Sequence, residues 1–333
     1  MVNCSLKIGV VVTAWLVLAA CSPITFTIGG SVGDQGLKYT VVESDGYAGS
    51  QRVAMIDVSG MLVNFRKRQL FDPGENPVSV LHEKLAAARR DKKVKAVILR
   101  LNTPGGTVTA SDAMYRQVRR FKQQTGKPVI ALMMDVAASG GYYLACAADH
   151  MIAYPSSVTG SIGVILQTVS LKPALDRIGI QTEAITSGHN KDAGSLLSVL
   201  TPDRRAILQN MVDDFYERFA NIVRKSRPQI PDDRFQQAVD GRVLSGNAAL
   251  AMGMIDQTGD LDDAFLMAKQ MAGLEDADLI LYHRPIAYVG SPYASSPSMP
   301  TGGTQINIAQ FNFPELPTGT SVGFYYLWQS LSP

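Results

Sequence analysis

Residues 128–154 read PVIALMMDVAASGGYYLACAADHMIAY. The stretch parses into a β-rich apolar run (Pro128 to Met134), a turn of small residues around Asp135 to Gly141, an apolar helix from about Ser139 to Ala148, and a second β-rich run (Met151 to Tyr154). Two such runs joined through a helix form a βαβ unit, whose strands lie parallel across a right-handed crossover. The alternation extends toward the N-terminus. Val53 to Val58 reads as a strand, Pro77 to Arg90 as a helix with Val80, Leu81, Leu85 and Ala88 on one face, Val94 to Leu101 as a strand and Ser111 to Gln124 as a helix. Repeated βα units predict an α/β fold with a parallel sheet. Ligands of such sheets bind at the carboxyl ends of the strands, so chemistry is expected in the strand-to-helix turns.

Two of those turns are unusual. One reads Asn102-Thr103-Pro104-Gly105-Gly106, where paired glycines let backbone N–H groups face a ligand with no Cβ in the way. The other, Asp135 to Tyr143, places Ser139 at a helix start among small residues. A serine there suits a nucleophile beside the positive helix end, and it equally suits an ordinary N-cap.

The 333 residues carry 31 Lys+Arg against 29 Asp+Glu, a formal net charge of +2, which provides no concentrated basic face for nucleic acid. A hydrophobic fraction of 46% with 18% charged residues suits a globular chain. Arg66-Lys67-Arg68 reads as solvated charge. The histidines His82, His150, His189 and His283 are scattered without ligand spacing, so neither metal nor other cofactor is expected. Of the three cysteines, Cys146 lies in an apolar helical segment and reads as packing.

Lys7 precedes an apolar run, Ile8 to Ala20, that is shorter than the ~20 residues of a membrane span and ends in Leu18-Ala19-Ala20-Cys21. That pattern resembles a bacterial lipoprotein signal. It implies a cleaved leader (1–20) and a mature chain anchored to a membrane through acyl groups on Cys21. Residues 21–51 read as anchor and linker, and 52–284 as the folded body. Thr201 to Arg227 reads as one long amphipathic helix with Thr201 as N-cap, Pro202 in its first turn, and a stripe of Leu208, Met211, Phe215, Phe219 and Ile222. Residues 285–333 form a Pro/Gly/Ser-rich tail that ends in Gly323-Phe324-Tyr325-Tyr326-Leu327-Trp328, an apolar terminus that should dock on the body, a neighbouring subunit, a membrane or the cleft.

Four motifs in order, Asn102 to Gly106, Ala137 to Tyr143, Val158 to Val164 and Ser187 to Asp192, resemble those of signal peptide peptidase A, and the likeness continues through Asp240 to Val243 and Gly253 to Asp256. One copy of each motif is present, as in the half-length members. The resemblance implies a ClpP/crotonase-like fold and peptide-bond hydrolysis by a Ser/Lys dyad. Ser139 matches the nucleophile, Lys191 the general base, Ser161 the hydroxyl that orients the lysine, and Gly106 a backbone donor of the oxyanion hole. Gly140, next after the serine, is the natural second donor. The implied partners are signal peptides and similar apolar segments, in the cell envelope. A cyclic homo-oligomer is also implied, with neighbouring subunits completing each site. A lysine with the ordinary pKa of about 10.4 keeps its proton at neutral pH, so a lysine base requires burial; Asp192 beside it must then point elsewhere. Two other functions fit parts of the pattern. A crotonase-like acyl-CoA enzyme would share the glycine-rich helix start but not Lys191 or the leader, and a non-catalytic lipoprotein scaffold would not need the dyad.

Overall fold

The structure is a computed structural model that describes residues 36–45, 51–65, 75–284 and 323–328. The leader, Cys21, the run Arg66-Lys67-Arg68 and tail residues 285–322 lie outside the described residues.

Five strands are parallel neighbours: β2 (Arg52–Ser59), β3 (Val94–Thr103), β5 (Val129–Ala138), β6 (His150–Ala153) and β9 (Gln257–Thr258). β10 (Asp278–His283) extends the parallel sheet beyond β2, and β1 (Lys38–Ser44) closes that edge antiparallel to β10. Strands buried on both faces carry mostly apolar side chains, which is why β2, β3 and β5 read as largely apolar runs, interrupted in β2 and β3 by the paired Asp57 and Arg100. On one face Ala54, Ile56, Val97 and Leu99 pack with α1 (Pro77–Arg90) and α2 (Val108–Thr125). On the other, Val53, Met55, Ile98, Ile130 and Leu132 pack with Leu261, Ala264, Phe265 and Ala268 of a C-terminal helix, Leu261–Ala272.

Helix α1 has the expected bounds, because the Asn76 side chain accepts from the Val78 and Ser79 amides and Pro77 fits the first turn. Helix α2 starts before the expected Ser111, at Val108, where the Thr107 hydroxyl accepts from the Ala110 amide at 3.3 Å.

Three expectations are corrected. β1 lies inside the segment expected to be linker (21–51): it is an edge strand with only one half-buried face, so its KYTVVES sequence lacks the apolar run of a central strand. β5 continues through Asp135 to Ala138, expected as turn, because Val136 to Ala138 pair in parallel with β7 (Val158–Gly160). The helix expected over Ser139 to Ala148 is shorter, α3 (Gly140–Ala145), and residues 146–149 turn into β6.

Past β7, the segment 166–200 holds one short helix, α4 (Lys172–Arg177), which buries none of its residues. The long helix α5 (Pro202–Ser226) follows as expected, although the Thr201 hydroxyl turns to the Asp203 carboxylate instead of capping a backbone amide. Only its C-terminal half docks on the body, burying Phe219 and Val223. The loop after α5 carries α6 (Asp232–Ala238), β8 (Val243–Ser245), which is antiparallel to β7, and α7 (Gly246–Ala251). The helix Leu261–Ala272 is therefore α8. No helix among the described residues is long and apolar enough to cross a membrane.

Asp57 of β2 and Arg100 of β3 are register partners and form a salt bridge of 2.6 Å, with side chains 8% and 6% exposed. Removing one member of such a buried pair is expected to cost about 3–5 kcal/mol. Arg100→Leu should therefore lower the urea midpoint substantially; an unchanged midpoint would show that the pair does not clamp β2 to β3.

Candidate active site

Ser139 stands where β5 hands over to α3, with φ 52° and ψ −112°. Only two non-glycine residues among those described have positive φ, and both are site candidates: Ser139 and Ser161, each at 52°. Such a backbone costs on the order of 1–3 kcal/mol and persists only when its surroundings impose it. Here the Ser139 amide donates to the Gly160 carbonyl at 2.8 Å, and the Ser139 carbonyl accepts from the Tyr143 amide at 2.9 Å, so the chain reverses from strand to helix within one residue. Ser139 is 1% exposed, its Oγ makes no hydrogen bond, and it caps no helix amide. The N-cap reading of this serine is thereby excluded.

Ser161 is held by its own amide donating to the Arg242 carbonyl at 2.7 Å. Ser139 and Ser161 line one cavity of about 380 Å³, whose other walls include Ile165, Tyr216, Asp240 and Leu327.

Lys191 does not line that cavity and is exposed. The expectation of a buried lysine is not met within a single chain, because segment 166–200 has no core of its own to bury it. Asp192 does turn aside, pairing with Arg204 at 2.8 Å. His189 is an exposed loop residue beside Asp203.

The glycine turn builds the opposite wall. Thr103, fully buried, donates its hydroxyl to the Gly60 carbonyl and accepts from the Gly105 amide at 3.1 Å. The strand β4 (Gly105–Thr107) is then gripped on one edge by Leu62, whose amide donates to Gly105 at 2.8 Å and whose carbonyl accepts from Thr107 at 2.9 Å. This leaves the N–H and C=O of Gly106 directed at the other edge. A Cβ on Gly106 would lie 1.9 Å from the Leu62 carbonyl oxygen, so the fold itself requires glycine there.

The free edge is occupied by β11 (Tyr325–Leu327), antiparallel, with Tyr326 opposite Gly106. The docking expected of the apolar terminus thus takes place at the cleft. Its other edge meets Ile165, with reciprocal bonds to Tyr325 of 3.1 and 3.0 Å. Tyr326 is fully buried, its ring stacked on Tyr143 at 5.0 Å and tilted against Phe219 at 4.8 Å, and its hydroxyl donates to the Phe215 carbonyl at 2.8 Å. Behind this pocket the Tyr143 hydroxyl and Arg218 both donate to Asp112, at 2.8 and 2.6 Å. Burial alone would raise the Asp112 pKa; hydrogen bonds from Arg218, Tyr143 and Arg116 overcome it and hold the carboxyl below its ordinary value. Cys146, at the end of α3, is buried, and desolvation pushes its thiol up to about 12, which leaves it unreactive and agrees with a packing role.

The aromatic pocket was hidden in sequence. Phe215 and Phe219 stand in a helical stripe that resembles any core-facing helix, and only the aromatic run at 324–328 hinted that something must receive it.

The profile of peptidase family S49 matches residues 121–275, and that of Clp protease matches residues 50–173. The chain is 36% identical over 228 residues to a protein of Arabidopsis thaliana named serine protease SPPA, chloroplastic, covering 68% of this chain and 33% of that protein. It is 33% identical over 231 residues to Protease 4 of Salmonella typhi, covering 68% of this chain and 37% of that protein. The chain thus spans about a third of the length of these two relatives. A protein of Synechocystis sp. named as a protease is 31% identical over 225 residues, covering 68% of this chain and 76% of that protein. Likeness over most of that relative, a sheet of parallel βα units and the Clp protease match lead to one conclusion: the chain belongs to peptidase family S49 and has a ClpP-like fold.

Proposed function

We propose that the protein is a membrane-anchored serine endopeptidase in which Ser139 is the nucleophile and Lys191, contributed by a neighbouring copy of the chain, is the general base. The observation that carries this reading is the Ser139 hydroxyl itself: buried, free of hydrogen bonds, and held at positive φ, with the next residue, Gly140, against the backbone of Gly105. In the mechanism, a neutral lysine amine takes the Oγ proton as Oγ attacks a peptide carbonyl. The amides of Gly106 and Gly140 stabilise the oxyanion, at about 2.7–4 kcal/mol per donor. The departing amine then takes up the proton, and water hydrolyses the acyl ester on Ser139. Ser161, on the cavity wall, is the hydroxyl that holds the lysine amine.

A second copy is called for by the part of the chain that carries Lys191. Ile178, Ile180, Ile185, Leu197 and Val199 are all exposed, Ile185 by 99%. Apolar surface of that kind, together with a lysine that must be desolvated to act, is satisfied when a neighbour packs over it. Head-to-tail packing closes into a ring where the rotation between neighbours divides a full turn, and a ring is the assembly proposed. Kinship with proteins named serine protease and Protease 4 supports peptide substrates; the resemblance noted in the sequence points to cleaved signal peptides and other apolar segments. The anchor is the lipidated Cys21, which places the enzyme on the extracytoplasmic side of a bacterial membrane.

A serine-directed fluorophosphonate should label the protein and fail to label Ser139→Ala. Labelling that survives the substitution would remove Ser139 as nucleophile, and no labelling of the native chain would favour a non-catalytic scaffold. Co-assembled in equal amounts, Ser139→Ala and Lys191→Ala chains should regain about one quarter of wild-type activity, since a randomly mixed ring keeps both intact partners at a quarter of its junctions. Verified mixed oligomers without activity would sink the shared site. For the anchor, Cys21→Ala should abolish incorporation of labelled fatty acid while the released protein still cleaves a small peptide ester; unchanged incorporation would count against lipidation at Cys21.

A further inference from the structure

The loop Asp240-Gly241-Arg242 holds Ser161 directly and Ser139 at one remove. The Arg242 carbonyl accepts the Ser161 amide at 2.7 Å, and the residue before Ser161, Gly160, accepts the Ser139 amide at 2.8 Å. A Cβ on Gly160 would lie 2.9 Å from the same Arg242 oxygen, so the loop is packed against this turn with no room for a side chain. One carboxylate sets the shape of the loop. Asp240 Oδ1 accepts from the Arg242 amide at 3.0 Å and from the Arg242 Nε at 2.9 Å, while Oδ2 accepts from Nη2 at 2.6 Å. Gly241 between them has φ 90°, which glycine adopts at little cost.

Asp240 and Gly241 also line the cavity shared by Ser139 and Ser161. The carboxylate is therefore both the clasp of the loop and a charge on the cavity wall. Its charge is felt inside: the phenol of Tyr216, another wall residue, is pushed up first by burial and then by Asp240. The hydrogen bond from Arg242 holds the Asp240 carboxyl below its ordinary value, so at neutral pH both partners are ionised and their charges cancel.

A lysine base benefits from that cancellation. A bare carboxylate near an amine favours the ammonium form, whereas a balanced pair leaves protonation to be set by burial. The other carboxylate on the cavity wall is Asp213 of α5, which accepts from the Gln209 side chain at 2.8 Å. On the segment that carries Lys191, Asp192 is paired with Arg204 and His189 with Asp203.

Resting on the reading of Lys191 from a neighbouring copy as general base, we propose that Asp240 and Arg242 are positioning residues for it: their ion pair fixes the loop that presents the Ser161 hydroxyl and keeps the wall that meets the lysine amine electrically balanced.

The test compares the full-length, assembled wild type with Asp240→Asn, Arg242→Gln and the double variant. Two rates are followed against pH, fluorophosphonate labelling of Ser139 and kcat/KM on a small peptide ester. Every variant keeps the backbone carbonyl of residue 242, and asparagine can still accept from the 242 amide. Arg242→Gln leaves a bare carboxylate, so the rising limb of both profiles should move to higher pH. Asp240→Asn leaves a bare guanidinium, so the limb should move to lower pH. Because the two side chains are 42% and 43% exposed, water screens them, and each shift should be about half a pH unit, or about threefold in rate at a pH on the limb. The double variant should restore the position of the limb with a lower plateau, since the charges again balance while the clasp is gone. A purely structural pair would lower the plateaus and move no limb. That result, or shifts of the same sign in the two single variants, overturns the proposal, and either single variant alone carries a sign. Lys191→Ala and His189→Gln are measured alongside, because a histidine also titrates in this range. Wild-type rates in Lys191→Ala, or a limb that disappears in His189→Gln, would remove Lys191 as the base; a limb that needs Lys191 but ignores residues 240 and 242 would remove this proposal alone.

Discussion

The hydrogen bond from the Ser139 amide to the Gly160 carbonyl ties together everything at this site. β5 and β7 are parallel neighbours, and the bond is the last rung between them, made at the residue where β5 stops. Because the rung is kept while the chain turns, Ser139 adopts a backbone that a residue with a Cβ normally avoids. One residue beyond the same carbonyl, Ser161 has the same positive φ and is held by the Arg242 carbonyl of the loop leading into β8. The two strained serines therefore share one support. Displacing β7 would shift both serines at once, since one is bonded to Gly160 and the other follows it in the chain.

The central elements were legible because they follow rules that act locally or through burial. Val53 to Val58, Val94 to Leu101 and Pro128 to Met134 are predominantly apolar, as strands covered on both faces must be. Helix α1 announced its own start through Asn76 and Pro77. What failed in the reading depended on distant partners. Asp135 to Ala138 look like a turn by composition and are strand only because β7 lies alongside. Lys38 to Ser44 pair with a strand more than two hundred residues away. At the site, the serine and the glycine pair stood out, but their division of labour did not: Gly106 is required by Leu62, Gly105 by the carbonyl of Tyr326. Lys191 was legible as a motif and not as geometry: in the single chain its side chain is exposed and lies off the cavity that Ser139 and Ser161 line.

A sharp physical contrast runs through the chain. The sheet and its covering helices bury Tyr142, Tyr143, Met55, Ile98 and Leu99 completely, whereas segment 166–200 exposes isoleucines, leucines and valines with little beneath them. α5 belongs to both regimes. Its C-terminal half is pinned by Phe219, Val223 and the Arg218–Asp112 pair, and its N-terminal half leaves Ile207 and Met211 in solvent. Motion of one half is thus coupled through a continuous helix to the aromatic pocket formed by the other.

The pairing of β4 with β11 also bears on how the molecule folds. Gly106 and Tyr326 lie more than two hundred residues apart in the chain, and contacts of such long sequence separation are slow to form because loop-closure entropy must be overcome first. The parallel core, α2, α3 and the docked half of α5 can assemble without residues 325–327, for these add no rung to the main sheet. The pocket of Tyr143, Phe215 and Phe219 is then presented to solvent until the final strand arrives. Refolding should end in a late phase in which the last large aromatic surface leaves water, after the native sheet is already complete.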